Sequence, residues 1–178
     1  MMSMKALLLS LSFAVLPFQG ATNYKVMGRY PIPGVGGFDY VMLDSSTRRI
    51  YVSHAIQVDV LDADTGKVVG TIPDTPGVHG VAIASPFKHG FTSNGRENKV
   101  SMFDPSTLQL IKKIDVGKGP DGIYYDPGSK RVFTNNHGSH DITALDGQVR
   151  LGHGRADTRG DVHQTLAGEA LPHPVHHG

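Results

Sequence analysis

The sequence predicts an all-β chain made of three copies of one unit of short antiparallel strands, and three observations carry that prediction. Asp62, Asp104 and Asp146 stand 42 residues apart and each closes an apolar run: Val58-Asp59-Val60-Leu61, Val100-Ser101-Met102-Phe103 and Ile142-Thr143-Ala144-Leu145. Period-two alternation is visible in Arg49-Ile50-Tyr51-Val52-Ser53 and in Lys130-Arg131-Val132-Phe133-Thr134, the pattern of a strand with two unlike faces. The runs are separated by Asp, Ser, Pro and Gly, residues that close tight turns, and no amphipathic helical window of useful length follows the first 21 residues. A period near 42 with several short strands per unit is the signature of a β-propeller.

Taken in order, the strands are labelled A to D within each unit. The first unit runs Asp39 to Leu43, Arg49 to Ser53, Gln57 to Leu61 and Lys67 to Ile72. The second runs His79 to Ala84, His89 to Ser93, Lys99 to Phe103 and Gln109 to Ile114, and the third holds Asp121 to Tyr125, Arg131 to Asn135 and a C strand ending at Asp146. Lys25-Val26-Met27-Gly28-Arg29-Tyr30-Pro31 resembles Lys67-Val68-Val69-Gly70-Thr71-Ile72-Pro73, also 42 residues on. The repeat region, 22–146, is therefore expected to open with the D strand of a preceding unit. Between A and B, Asp44-Ser45-Ser46-Thr47 and Asp126-Pro127-Gly128-Ser129 can close turns on their own amides. Asp62-Ala63-Asp64-Thr65-Gly66 and Asp104-Pro105-Ser106-Thr107 do so between C and D, with Gly66 suited to a left-handed position. Tyr51, Phe91, Phe103, Tyr124, Tyr125 and Phe133 fall where strand residues pack between neighbouring units.

Length and charge narrow the function classes. A chain of 178 residues with 39% hydrophobic content can bury one real core. Seventeen basic residues (Lys+Arg 17) against sixteen acidic (Asp+Glu 16) leave no global signal for nucleic acid or an anionic membrane. The absence of cysteine removes disulfides, thiolate metal sites and thiol nucleophiles together. Gly 22 and Pro 11 fit many turns between short strands.

At the N-terminus, Lys5 precedes the apolar run Ala6 to Leu16, and Pro17 breaks it. A positive start followed by an apolar stretch of about 7–15 residues reads as a signal peptide over 1–21. It is shorter than the roughly 20 residues of a membrane span. Cleavage is expected after Gly20 or Ala21, although Phe18 or Gln19 occupies a position that prefers a small side chain. An exported, periplasmic or secreted protein follows; an uncleaved anchor or a buried apolar segment is the alternative.

The tetrapeptides Tyr51-Val52-Ser53-His54, Phe91-Thr92-Ser93-Asn94 and Phe133-Thr134-Asn135-Asn136, each followed by the Asp-turn, resemble the Tyr-Val-Thr-Asn propeller repeat of exported bacterial YncE-like proteins. The resemblance covers about Lys25 to Asp146, no copy keeps the tetrapeptide whole, and it implies a seven-bladed propeller. The strands counted above make only three blades, whereas propellers have about 4–8. An incomplete arc is expected, with self-association through its open blade edges.

From 147 to 178 the pattern ends and five of the ten histidines appear. By composition this is a disordered tail. A frame shift of one nucleotide would let the codons of Gly147 to Ala156 encode Ala or Asp, then Lys-Ser-Gly-Leu-Val-Thr-Gly-Ala-Leu, which lines up with Ala63 to Ile72. A frameshifted or truncated gene, a genuine tail, and a metal-binding tail built on His173, His176 and His177 all remain open.

In a four-stranded blade the D-to-A and B-to-C connections emerge on one face, around the central channel, and loops held by sheets are where function concentrates. The B-to-C set offers His54, then Asn94 to Asn98 with Arg96, then His137 and His140; the D-to-A set offers Asp39, His79 and Asp121. His54, His79, Arg96, Asp121, His137 and His140 are thus the candidate binding residues, for an unidentified small molecule or protein. Asp39, His79 and Asp121 have a structural alternative, tying blades together through backbone amides. His137 and His140, three apart, would need ligands from other blades to hold a metal. Gly34-Val35-Gly36-Gly37 lacks the Lys-Ser/Thr and the helix of a phosphate loop and reads as a connector. No catalytic set, metal site or cofactor is expected, so a binding module is the first reading. The family resemblance alone permits the second, the N-terminal part of a metal-dependent lactonase or quinoprotein-like dehydrogenase, and an inactive gene fragment is a third.

Overall fold

The computed structural model describes residues 24–148, so the leader and the tail from 149 onward lie outside the described residues. Among the described residues, eleven strands form three antiparallel sheets in chain order. The first holds β1 (Phe38–Asp44), β2 (Arg49–His54), β3 (Gln57–Asp62) and β4 (Val68–Ile72). The second holds β5 (Val78–Ala84), β6 (His89–Asn94), β7 (Lys99–Phe103) and β8 (Leu110–Asp115). The third holds β9 (Pro120–Asp126), β10 (Arg131–Asn136) and β11 (Asp141–Asp146). The innermost strands β1, β5 and β9 lie side by side. The result is an open arc of three propeller blades, two of them four-stranded and the third three-stranded among the described residues.

Two apolar layers hold the arc together. Between blades one and two, Tyr51, Val58, Val60 and Ile72 meet Val78, Val81, Ile83, Phe103 and Leu108. Between blades two and three, Ala84, Phe91, Val100 and Met102 meet Val132, with Ile123, Tyr125 and Leu145 packed around them. Alternate residues of one strand thus serve opposite interfaces: Val81 and Ile83 face blade one, while Ala84 belongs to the layer against blade three. Of the aromatics expected between blades, Tyr51, Phe91 and Phe103 are fully buried, whereas Tyr124 is 66% exposed. Tyr124 lies on the open face of blade three, lining a shallow hollow with Ile123, Phe133 and Ile142.

The turn chemistry is the one the sequence dictates. Asp44 accepts from the Ser46 amide and hydroxyl and the Thr47 hydroxyl; Asp62 from the amides of Asp64 and Thr65; Asp104 from the amides of Ser106 and Thr107; and Asp126 from those of Gly128 and Ser129. Gly66 has φ +68 and Leu108, at the same place in blade two, has φ 63. Between β5 and β6 the Asp-turn is replaced by a single 3-10 turn, Ser85–Phe87, with Pro86 in its first turn.

The bonds from Thr65, Ser106 and Ser129 hold the carboxyls of Asp62, Asp104 and Asp126 below their usual range. At Asp44 burial pushes upward, but the bonds from Ser46 and Thr47 prevail and the pKa is lowered. A folded pKa below the unfolded one gives stability that is present above the ordinary Asp value of about 3.9 and lost as pH falls through the lower folded value. Urea midpoints measured from pH 6 to pH 3 should therefore hold level and then drop below about pH 4. Asp62→Asn and Asp104→Asn should each make that drop shallower.

One expected element does not form. Residues 24–37 hold no strand, so Lys25 to Tyr30 is not a D strand here. A lone strand carries unpaired amides and carbonyls, and among the described residues no strand precedes β1 to pair with it. Tyr30 instead lies against Gly66 in the β3–β4 turn, where its ring fills the space a side chain would take.

Candidate functional site

Each innermost strand carries a bulge at its channel end. The register with its neighbour shifts between Phe38 and Val41, between Val78 and Val81, and, in the third sheet, between Thr134 and Asn136 on the strand opposite Asp121 and Gly122. A bulge sets two residues against one and re-aims a side chain. Asp39, His79 and Asp121 occupy those bulges. Facing one another across the blades, His79 donates from Nδ1 to Asp39 Oδ2 at 2.6 Å and lies 4.0 Å from Asp121 Oδ1. The interblade ties are thus side chain to side chain at these positions, not the expected bonds to backbone amides. The backbone tie comes from Ser93, whose hydroxyl donates to the Asp121 carbonyl and accepts from the Gly80 amide at 3.0 Å.

Beside this row the B-to-C loops fold over the D-to-A loops on a repeated glycine. The Ala55 methyl, the Arg96 stem and the His137 ring lie where a Cβ on Gly36, Gly77 and Gly119 would project, and all three glycines have positive φ. Backbone bonds clamp the loops together: Ala55 N to Gly37 O at 3.0 Å, Gly95 N to Gly77 O at 2.9 Å and His137 N to Gly119 O at 3.0 Å. A β-carbon at any of these glycines would need both a left-handed backbone and the space already filled.

The product is an open pocket of about 410 Å³ lined by Phe38, Asp39, His79, Gly95, Arg96 and His137 together with loop backbone. Its cation is Arg96, which forms no ion pair among the described residues. The strand pattern and the polar loop residues do not mark Phe38, Gly77 or Gly119. Glycines recurring at 36, 77 and 119, close to the repeat period, are the signal for the clamps.

Of the candidate residues, His79, Arg96 and His137 come together in the pocket, with Asp121 beside His79. His54 does not face the channel. It is 2% exposed, donates from Nδ1 to the buried Asp59 at 2.8 Å, and is covered by the stacked ring of Phe38 at 4.4 Å. As the last residue of β2 its side chain turns into the sheet, and Ala55, one residue on, faces the loops. Asn94 and Asn136 hold the same place in the other blades, donating to Ser101 at 2.7 Å and Thr143 at 2.9 Å. His140 is exposed with φ 59 and lies outside the pocket, because the turn after β10 carries it past the rim. Among the described residues no group of three or more His, Asp or Glu side chains is placed to hold a metal ion, and no helix is long and apolar enough to cross a membrane.

No family model and no curated protein matches the chain. Among solved structures it is similar to Kuenenia stuttgartiensis hydrazine synthase, with 23% identity and a TM-score of 0.59 over 68% of this chain and 36% of that one. It is also similar to U3-55K, with 12% identity and a TM-score of 0.53 over 65% of this chain and 41% of that one. The WD40 repeats of RRP9 give 12% identity and 0.53 over 65% and 40%. The chain spans about two fifths or less of the length of each. At these identities the likeness is one of fold, and the shared fold is the propeller blade arc.

Proposed function

We propose that the chain is an exported propeller module of the Tyr-Val-Thr-Asn repeat kind, binding a small carboxylate- or phosphate-bearing ligand at the channel-facing loops. The observation that carries the reading is Arg96, a guanidinium at a pocket that also presents His79 and His137, with no carboxylate partner among the described residues. Arg offers a planar fork of donors matched to carboxylate and phosphate. Asp39 holds the His79 ring in place and orients its free nitrogen toward Gly95 and the pocket.

Calorimetric titration with succinate, malonate and phosphate tests the site. A hydrogen bond to a charged group contributes about 1.5–3 kcal/mol, so Arg96→Ala should weaken binding by roughly 10- to 100-fold. Equal binding by the variant would remove Arg96 from the site. Export is tested separately: material recovered outside the inner membrane should begin near Gly20 by mass spectrometry, and an intact Met1 on a cytosolic product would contradict it.

A further inference from the structure

We infer that two copies of this chain join head to tail, residues 25–30 of each supplying the fourth strand of the other's third blade. The β11 edge is the place that strand would fill. In blade one, β4 pairs on β3 as Val58↔Ile72, Asp59↔Thr71, Val60↔Gly70 and Leu61↔Val68, with a register shift after Val60. Blade two repeats this with Val100↔Ile114, Ser101↔Lys113, Met102↔Lys112 and Phe103↔Leu110. Carried over by the 42-residue period, the third blade asks for Ile142↔Tyr30, Thr143↔Arg29, Ala144↔Gly28 and Leu145↔Val26. Residues 147–178 hold no copy of the Lys-Val-Val-Gly-Thr-Ile-Pro strand, whereas residues 25–31 do.

The segment already sits as a D strand sits against the next blade. In blade two, Leu108 of the C-to-D turn packs onto Gly70 and Ile72 of blade one. Gly66 is the equivalent of Leu108, and Tyr30 that of Ile72; here the large residue is the tyrosine and the vacant position is the glycine, so the same contact is made with the sizes exchanged. Residues 25–30 therefore lack only their sheet neighbour.

The open faces complete the joint. Val81 and Ile83 of blade two pack on Tyr51 and Val58 of blade one. Their equivalents are Val41 and Leu43, 66% and 51% exposed, and Phe133 and Ile142, the latter 69% exposed. One copy's blade one can thus cover the other's blade three in the manner of the two interfaces already present, while Arg29 comes diagonal to Asp141. The contact is heterologous, and such contacts close only if the rotation allows. The described residues of two copies carry six blades, inside the range of about 4–8 that propellers use, so a ring of two copies has an allowed blade number. The pairing is independent of any ligand.

The chain has no cysteine, which makes the joint testable by crosslinking. Gly28 has room for a β-carbon and Ala144 is exposed; paired across strands their α-carbons fall in the disulfide range of about 4.4–6.8 Å. The full chain should sediment at twice its mass at low micromolar concentration, and oxidised Gly28→Cys/Ala144→Cys should run as a covalent pair without reductant, with neither single variant doing so. A monomer of the unaltered chain in the ultracentrifuge would overturn the inference. So would a dimer in which the double variant fails to crosslink, or a covalent ladder of three or more.

Discussion

Phe103→Ala should lower stability by about 3–5 kcal/mol, the range for emptying a buried aromatic site. Phe103 is fully buried at the end of β7, its ring covering Gly90 on the neighbouring strand and standing 6.1 Å from Tyr51 of blade one. The side chain holds one sheet to the next, and Gly90 offers no atoms with which to collapse onto the gap. Against a typical net stability of ~5–15 kcal/mol the loss is a large fraction of the whole. Urea titration followed by circular dichroism measures it, and Phe103→Leu, which keeps most of the volume, should cost clearly less.

Asp59→Ala should cost about 1–3 kcal/mol, because it leaves the buried Nδ1 of His54 without its hydrogen-bond partner. The His54–Asp59 pair is almost wholly shielded, and Asp59 also accepts from Gln57 at 2.8 Å and Thr71 at 3.3 Å. The other blades show the remedy. Asn94 with Ser101 does this work in blade two without a charge, so His54→Asn/Asp59→Ser should recover most of what Asp59→Ala loses. A double variant no better than the single would mean that the Asp59 carboxylate, and not the tie between strands B and C, is what blade one requires.

The blades were legible because the turns punish error. A strand that ends at Asp62 or Asp104 meets a carboxylate bonded to the next amides, and that chemistry recurs in the sequence at the repeat period. The side to which each polar residue turns was less legible. His54 and Ala55 are neighbours on a strand end, and one residue decides between the sheet interior and the channel. Nor does sequence alternation reveal the bulges that aim Asp39, His79 and Asp121, since a bulge is a two-against-one count of backbone pairing. The segment 25–30 reads as a strand by its resemblance to 67–72, but a strand is completed by its neighbour, and among the described residues none pairs with it.

Histidine-selective NMR of the full chain during a succinate titration tests the loop-face site most directly. His79 and His137 resonances should shift together and saturably, the Arg96→Ala variant should leave them still, and the buried His54 should not respond. Shifts at His54 or in the histidines beyond 148, with His79 and His137 unmoved, would contradict the assignment of binding to the channel-facing loops.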